Sequence, residues 1–351
     1  MQIKTSDIQV LQFELTSYCN AMCVHCPRFS QIDHDVFESV GEVHQDLTLS
    51  HVDVDKIIKN LDLPKLVNLK KIIIEGDKGD PLMHPNLERL IDAFSTMDSP
   101  PLIFLTTNGS IRNKEWWINL AKKKYPTLRV IFSIDGLDDT NHLYRVGLDF
   151  KTIIDNVSGF INNGGFAIWK MIVFKHNEHQ ISEIQKLSKN MGFRMFKTGN
   201  GDVNRFKNKP NWPVTYKDKT WYIEPAEHTY NIEEYFNEND QEYYPRYWNP
   251  YKDRLCPNLR NGQIYINHLN QIVPCCMMHF DTELNYFGKA QLLNLMENFD
   301  NYDLSKHTLE YILNQEFYKN KLQDSLKNGN MHYTCEKSCG NIIAELRKNE
   351  N

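Results

Sequence analysis

The sequence contains no apolar run approaching the ~20 residues that a membrane-spanning helix needs, so no bilayer span and no membrane partner are expected. Residues Met1 to Asn20 lack the basic start, apolar stretch and small-residue cleavage site of a secretory leader. Basic charge is not in excess either: 40 Lys and Arg stand against 45 Asp and Glu, for a net charge of -5. Attraction to a phosphate backbone depends on such an excess, so no nucleic-acid partner is expected. The run Lys122, Lys123, Lys124 reads as a solvated helix face. No internal repeat or low-complexity tract is apparent. These absences together lead to the expectation of a cytoplasmic protein.

What remains is an ordinary globular balance of 41% hydrophobic and 24% charged residues. A chain of 351 residues suggests roughly two domains and can bury a sizeable core. Its eight cysteines are therefore not needed as staples. In a reducing compartment they point to metal or redox chemistry.

Strand-like and helix-like stretches alternate through residues 1–200. Strands are expected over Ile8–Leu15, Lys71–Glu75, Leu102–Thr106, Arg129–Ile134, Ile168–Phe174 and Phe193–Phe196. Helices are expected over Val54–Asn60, Asn86–Phe94, Lys114–Lys123, Phe150–Asn162 and Ile181–Met191, where apolar residues recur every three or four positions. This alternation implies a parallel sheet, and six units imply an α/β fold of the partial (β/α)6 barrel type. Chemistry in such barrels sits on loops at the C-terminal ends of the strands. Residues 201–255 form an aromatic-rich connector interrupted by prolines. Residues 256–351 are expected to form a small α+β unit with a hairpin at Gln263–Val273 and helices at Leu292–Phe299 and Leu309–Leu326.

Cys19, Cys23 and Cys26 follow the first expected strand with the spacing C-x3-C-x2-C. Three thiolates can hold three irons of a four-iron cluster and leave the fourth open for a reaction. The alternative is a zinc site, although zinc usually takes paired C-x2-C knuckles. The spacing resembles the signature of the radical S-adenosylmethionine (radical SAM) superfamily. That resemblance implies a [4Fe–4S] cluster whose open iron is chelated by S-adenosylmethionine, with His25 beside the adenine.

Four further segments match the family's pattern in order. Glu75-Gly76-Asp77-Lys78-Gly79-Asp80-Pro81 resembles its Gly-Gly-Glu-Pro motif in a longer form, with Asp80 where Glu is commoner. Glycine permits close backbone approach, and a carboxylate can accept from an ammonium group. Thr106-Thr107-Asn108-Gly109 follows the third strand, where the family lines its cofactor site. Ser133-Ile134-Asp135-Gly136, with His142 and Arg145, resembles the segment that contacts the ribose or methionine of the cofactor. Asn177 stands just past the fifth strand, where many members carry asparagine. Each segment alone also fits an ordinary turn, or a structurally paired arginine. The resemblance therefore implies a cofactor set of His25, Gly79, Asp80, Asn108, Ser133, Asp135 and Arg145.

Cys256, Asn270-Gln271-Ile272-Val273-Pro274-Cys275 and Cys335-Glu336-Lys337-Ser338-Cys339 resemble the C-terminal extension of many members. Asn270 takes a place usually held by glycine, which suits the non-glycine residue most tolerant of left-handed backbone. The ligands so implied are Cys256, Cys275, Cys335 and Cys339, and Cys276 could exchange with Cys275. They suffice for one auxiliary [4Fe–4S] cluster, which resembles the short twitch form rather than the longer SPASM form. Four cysteines at this spacing also suit zinc.

The resemblance implies reductive cleavage of S-adenosylmethionine and hydrogen abstraction by a 5′-deoxyadenosyl radical. An external electron donor such as flavodoxin or ferredoxin is implied with it. The substrate expected is a small molecule that is oxidised or rearranged. Modification of a peptide or protein side chain is the alternative. A non-catalytic zinc-binding protein is the alternative of another class.

Overall fold

The computed structural model describes residues 3–29, 42–200, 211–237, 239–240, 254–279, 283 and 286–348. Thirteen strands occur among them: β1 (Val10–Phe13), β2 (Met22–Cys23), β3 (Lys71–Ile74), β4 (Leu102–Thr107), β5 (Leu128–Ser133), β6 (Arg145–Val146), β7 (Ala167–Val173), β8 (Met195–Asn200), β9 (Trp212–Tyr216), β10 (Lys219–Ile223), β11 (Glu233–Tyr235), β12 (Gln263–Ile266) and β13 (Ile272–Val273).

The main sheet has the order β11-β8-β7-β5-β4-β3-β1-β12-β13. Neighbours from β1 through β8 pair in parallel, with Val10 opposite Lys71, Ile103 opposite Leu128 and Ile168 opposite Met195. The expected α/β partial barrel is thus present, and it is an open sheet rather than a closed ring. Helices α1 (Val54–Leu61), α2 (Leu87–Ser95), α3 (Lys114–Lys122), α4 (Asn141–Tyr144), α5 (Phe150–Ile161) and α6 (Ile181–Met191) fall between the strands. Three begin where a side-chain oxygen takes an otherwise unpaired backbone N–H: Asp53 from Lys56, Asn113 from Trp116, and Asp149 from Thr152. Gly192, at φ 89°, ends α6 in the left-handed conformation.

One face of each helix closes on the sheet. Trp117, Phe132, Phe160, Trp169 and Phe193 form one aromatic packet there, with ring centroids 5.1–6.2 Å apart. Burying side chains of this size contributes about 1.5–3 kcal/mol each. This dense layer holds the strand ends, and therefore the loops that leave them, in fixed positions.

The hairpin β12–β13 does not stand apart from the barrel. β12 runs parallel to β1, with Val10 opposite Gln263 and Phe13 opposite Ile266. It covers the edge that β1 would otherwise expose, while β11 pairs antiparallel with β8 at the other end. Asn270 turns the hairpin at φ 64°, and its side-chain oxygen accepts from the backbone N–H of Asp53, 2.8 Å away. α7 (Pro257–Arg260) precedes the hairpin, and beyond it lie α8 (Cys276–His279), α9 (Tyr286–Met296), α10 (Leu309–Leu313), α11 (Leu322–Lys327) and α12 (Tyr333–Lys348). The expected single helix over Leu309–Leu326 is broken. Asn314 ends α10, and a π-helical turn at Phe317–Lys321 precedes α11. That wider turn accompanies a buried Tyr318, whose hydroxyl donates to the Ile272 carbonyl at 3.0 Å. Among the described residues no helix is long and apolar enough to cross a membrane.

Candidate active site at the strand ends

Ser17 to Phe29 leave the C-terminal end of β1 and carry Cys19, Cys23 and Cys26. Two features shape this loop. Arg28 is buried, and it donates from Nε to the Ser17 carbonyl at 3.1 Å and from Nη1 to the Cys19 carbonyl at 3.2 Å. The Cys26 N–H donates to the Cys23 carbonyl at 3.2 Å, which folds the last two cysteines into a turn. His25, between them, takes φ 63°. Burial raises the Cys19 thiol, and Asp80, Cys23 and Cys26 add to the rise, so the three sulfurs share one locality. Burial also raises Cys23, while Arg145 lowers it. A bound cation would reverse such shifts, because a coordinating thiol is deprotonated.

The sulfurs meet N–H donors. The Ala21 N–H lies 3.4 Å from Cys19 Sγ, Asn108 Nδ2 lies 4.0 Å from the same atom, and Arg145 Nη1 lies 3.7 Å from Cys23 Sγ. Donors to sulfur are among the features that set cluster potential. Three neighbouring, partly exposed thiols, two of them met by N–H groups, fit an iron–sulfur cluster held through three irons.

Most of the remaining expected residues gather around the same loop. Gly79 lies under it: an added Cβ would stand 2.0 Å from the Thr16 carbonyl oxygen and 2.9 Å from that of Tyr18. Asp80 is buried and its carboxylate is engaged inside the protein. It accepts from Leu82 N at 3.0 Å, Thr107 Oγ1 at 3.0 Å and Asn108 N at 2.8 Å, which ties the end of β4 to the loop after β3. Asn108 Nδ2 donates to Asn20 Oδ1 at 2.9 Å. Asp135 is fully buried, accepts from Ile172 N at 2.7 Å and pairs with Arg145 Nε at 2.7 Å. Arg145 sits directly opposite Cys23 in the β2–β6 pair. Ser133 ends β5 and is buried. Asn177 donates to the carbonyls of Asp135 and Ile172, at 2.6 and 2.9 Å, and so braces two strand ends.

Three contacts were not legible in the sequence. Trp212 on β9 meets the His25 ring edge to face at 4.5 Å. Trp221 on β10 donates to the Leu143 carbonyl at 2.8 Å. The β9–β10 hairpin therefore covers the cysteine loop, packing with Val24, Val146 and Phe174. Tyr144 is half-buried beside Cys23, and its ring lies tilted against that of Phe174 with centroids 4.7 Å apart.

A second set of thiols lies toward the C-terminus. Burial raises Cys256, and Cys339 adds to it. Burial likewise raises Cys275, with Cys256, Cys276 and Cys335 contributing. Burial raises Cys276 to about 12, and the carboxylates of Asp77 and Glu75 add most to the rise.

Comparison with known proteins agrees with this geometry. Residues 13–187 match the family model described as the Radical SAM superfamily. The chain belongs to that superfamily through this half of its length, and its members are enzymes that use a [4Fe–4S] cluster with S-adenosylmethionine. A GTP 3′,8-cyclase of Clostridium perfringens is 26% identical over 187 residues, covering 52% of each chain. One from Trichodesmium erythraeum is 29% identical over 140 residues, 39% of this chain and 38% of that one. The chain thus spans about half the length of the curated relatives it matches. Two solved structures share the fold more widely. Native anSMEcpe with bound AdoMet and Cp18Cys peptide has a TM-score of 0.51 at 15% identity, covering 95% of this chain and 87% of that one. SuiB of Streptococcus suis bound to precursor peptide SuiA has a TM-score of 0.51 at 18% identity, covering 90% and 66%. At these identities the likeness shows the fold alone.

Proposed function

We propose that this radical SAM enzyme reductively cleaves S-adenosylmethionine at the loop bearing Cys19, Cys23 and Cys26, and abstracts hydrogen from a small molecule. The observation that carries the reading is the convergence of three adjacent thiols, with N–H donors to two of them, at the C-terminal end of β1. When bound, the cluster and S-adenosylmethionine supply a carbon-centred radical, and the protein supplies position and exclusion of water. Arg28 and Gly79 set the loop; Asp135 orients Arg145 against Cys23; Trp212 closes over His25. His25, Gly79, Asn108 and Ser133 would hold S-adenosylmethionine, with Asp80, Asp135 and Arg145 fixing the strand ends.

The close cover formed by β9–β10 favours a small substrate. A peptide substrate is the second reading, supported by a fold shared with SuiB and anSMEcpe, whose structures hold peptides. Cys256, Cys275, Cys335 and Cys339 would hold one auxiliary [4Fe–4S] cluster, with flavodoxin or ferredoxin as the electron source.

The test is anaerobic reconstitution followed by reduction and addition of S-adenosylmethionine, on the native chain and on a Cys19/Cys23/Cys26→Ala variant. About two four-iron clusters are expected in the native protein and about one in the variant. Methionine and 5′-deoxyadenosine should form only with the native chain. GTP and a peptide mixture, added separately, should stimulate 5′-deoxyadenosine formation differently. Equal iron in both proteins, or no cleavage by the fully loaded native chain, would overturn the reading.

A further inference from the structure

Between the two cysteine sets lies a buried polar group that neither uses. Glu14 follows β1, His268 stands in the β12–β13 turn, and His279 ends α8, one turn beyond Cys275 and Cys276. All three are fully buried, at 0% exposure. One ligand atom from each (Glu14 Oε2, His268 Nδ1, His279 Nε2) converges on a common point, and the residues' ligand atoms lie within 4.8 Å of one another. Two imidazoles and one carboxylate are a zinc ligand set that leaves a fourth position for water or another oxygen.

The surroundings match what holds metal ligands in place. A ligating histidine almost always gives its other ring N–H to a carboxylate or carbonyl. His268 Nε2 lies 3.0 Å from Glu283 Oε2. Glu283 is itself fixed by Lys78 Nζ at 3.0 Å and by the Thr48 N–H at 3.0 Å. The second oxygen of Glu14 accepts from the Lys78 N–H at 2.5 Å, which leaves Oε2 aimed at the histidines. Tyr265 donates to Asp77 at 3.1 Å and stands 3.4 Å from Glu14 Oε2.

We propose that Glu14, His268 and His279 bind a divalent transition-metal ion of the zinc class, with Glu283 orienting His268. The ion joins the end of β1 to the hairpin turn and to α8. It thereby pins α8, which directly follows Cys275, against the barrel, and it acts as an anchor rather than as a reacting centre. The proposal is independent of the substrate.

The full chain is first reconstituted with iron and sulfide so that the cysteines are occupied. One equivalent of Zn2+ is then added and the protein is desalted. Metal analysis should find about one zinc per chain, and zinc-edge X-ray absorption should show N/O neighbours at about 2.0–2.1 Å. His268→Gln and His279→Gln should each lose the zinc while keeping native iron and sulfide. Glu283→Gln removes no ligand and should weaken retention against a chelator by about 10–100-fold. A sulfur shell at about 2.3 Å would place the ion in a cysteine set instead and overturn the proposal. So would a folded native chain that retains no zinc, or histidine variants that retain it fully.

Discussion

Replacing Arg145 separates a positioning pair from an isolated ligand contact. Arg145 Nε and Asp135 Oδ2 are 2.7 Å apart, with side-chain exposures of 11% and 0%. Arg145→Met leaves the Asp135 carboxylate buried with only the Ile172 N–H, and removes the Nη1 donor from Cys23. Breaking one side of a buried pair costs about 3–5 kcal/mol. Asp135→Asn should cost a similar amount, because it leaves the guanidinium without its counter-charge. Arg145→Met/Asp135→Asn removes both charges and should recover part of the loss, giving a coupling of about 0.5–3 kcal/mol. With a urea slope of about 3 kcal/mol/M for a chain of this size, each single variant should shift the unfolding midpoint down by about 1 M or more. The assay is tryptophan fluorescence against urea on the four proteins before cluster loading. Single variants within about 1 kcal/mol of the native chain, or losses that simply add in the double variant, would refute the paired reading.

Two other outcomes follow from the same geometry. Gly79→Ala should abolish iron loading at the first cysteine set, since its Cβ would meet backbone carbonyl oxygen at 2.0 Å; iron analysis on the variant checks it, and native loading would refute the packing argument. His176 is held neutral by burial, its ring nitrogen lowered to about 4, with His179 and His142 adding to the effect. Below pH 6.5 the unfolded chain binds a proton that the folded chain refuses, so stability should fall as pH drops from 6.5 toward 4 and then level off. His176→Leu should flatten that fall, as read from urea midpoints at pH 7 and pH 5.

The alternation of short apolar runs with three-and-four-spaced helical stretches was enough to place five of the six parallel strands and all five helices within a residue or two, while the sixth strand, expected over Phe193–Phe196, runs Met195–Asn200. Buried strands and amphipathic helices carry their own periodicity, which is local information. Asn270 was readable for the same reason, because a left-handed turn restricts which residue can occupy it. The cysteine spacing likewise keeps its meaning without coordinates, since three thiols within eight residues can reach one cluster.

By itself, then, the sequence determined the order of the main barrel strands and helices, the barrel class, the superfamily and the cysteine loop proposed to carry the chemistry. Tertiary structure alone decided that β12 joins the sheet beside β1, that Trp212 closes over His25, and that Asp80 and Asp135 spend their carboxylates on backbone and Arg145. It alone brought Glu14 to His268 and His279, more than 250 residues along the chain, as Glu14 and His268 show with a separation of 254. Such meetings depend on which sheet edge is covered and which faces pack, and those are properties of the assembled core rather than of any window of sequence.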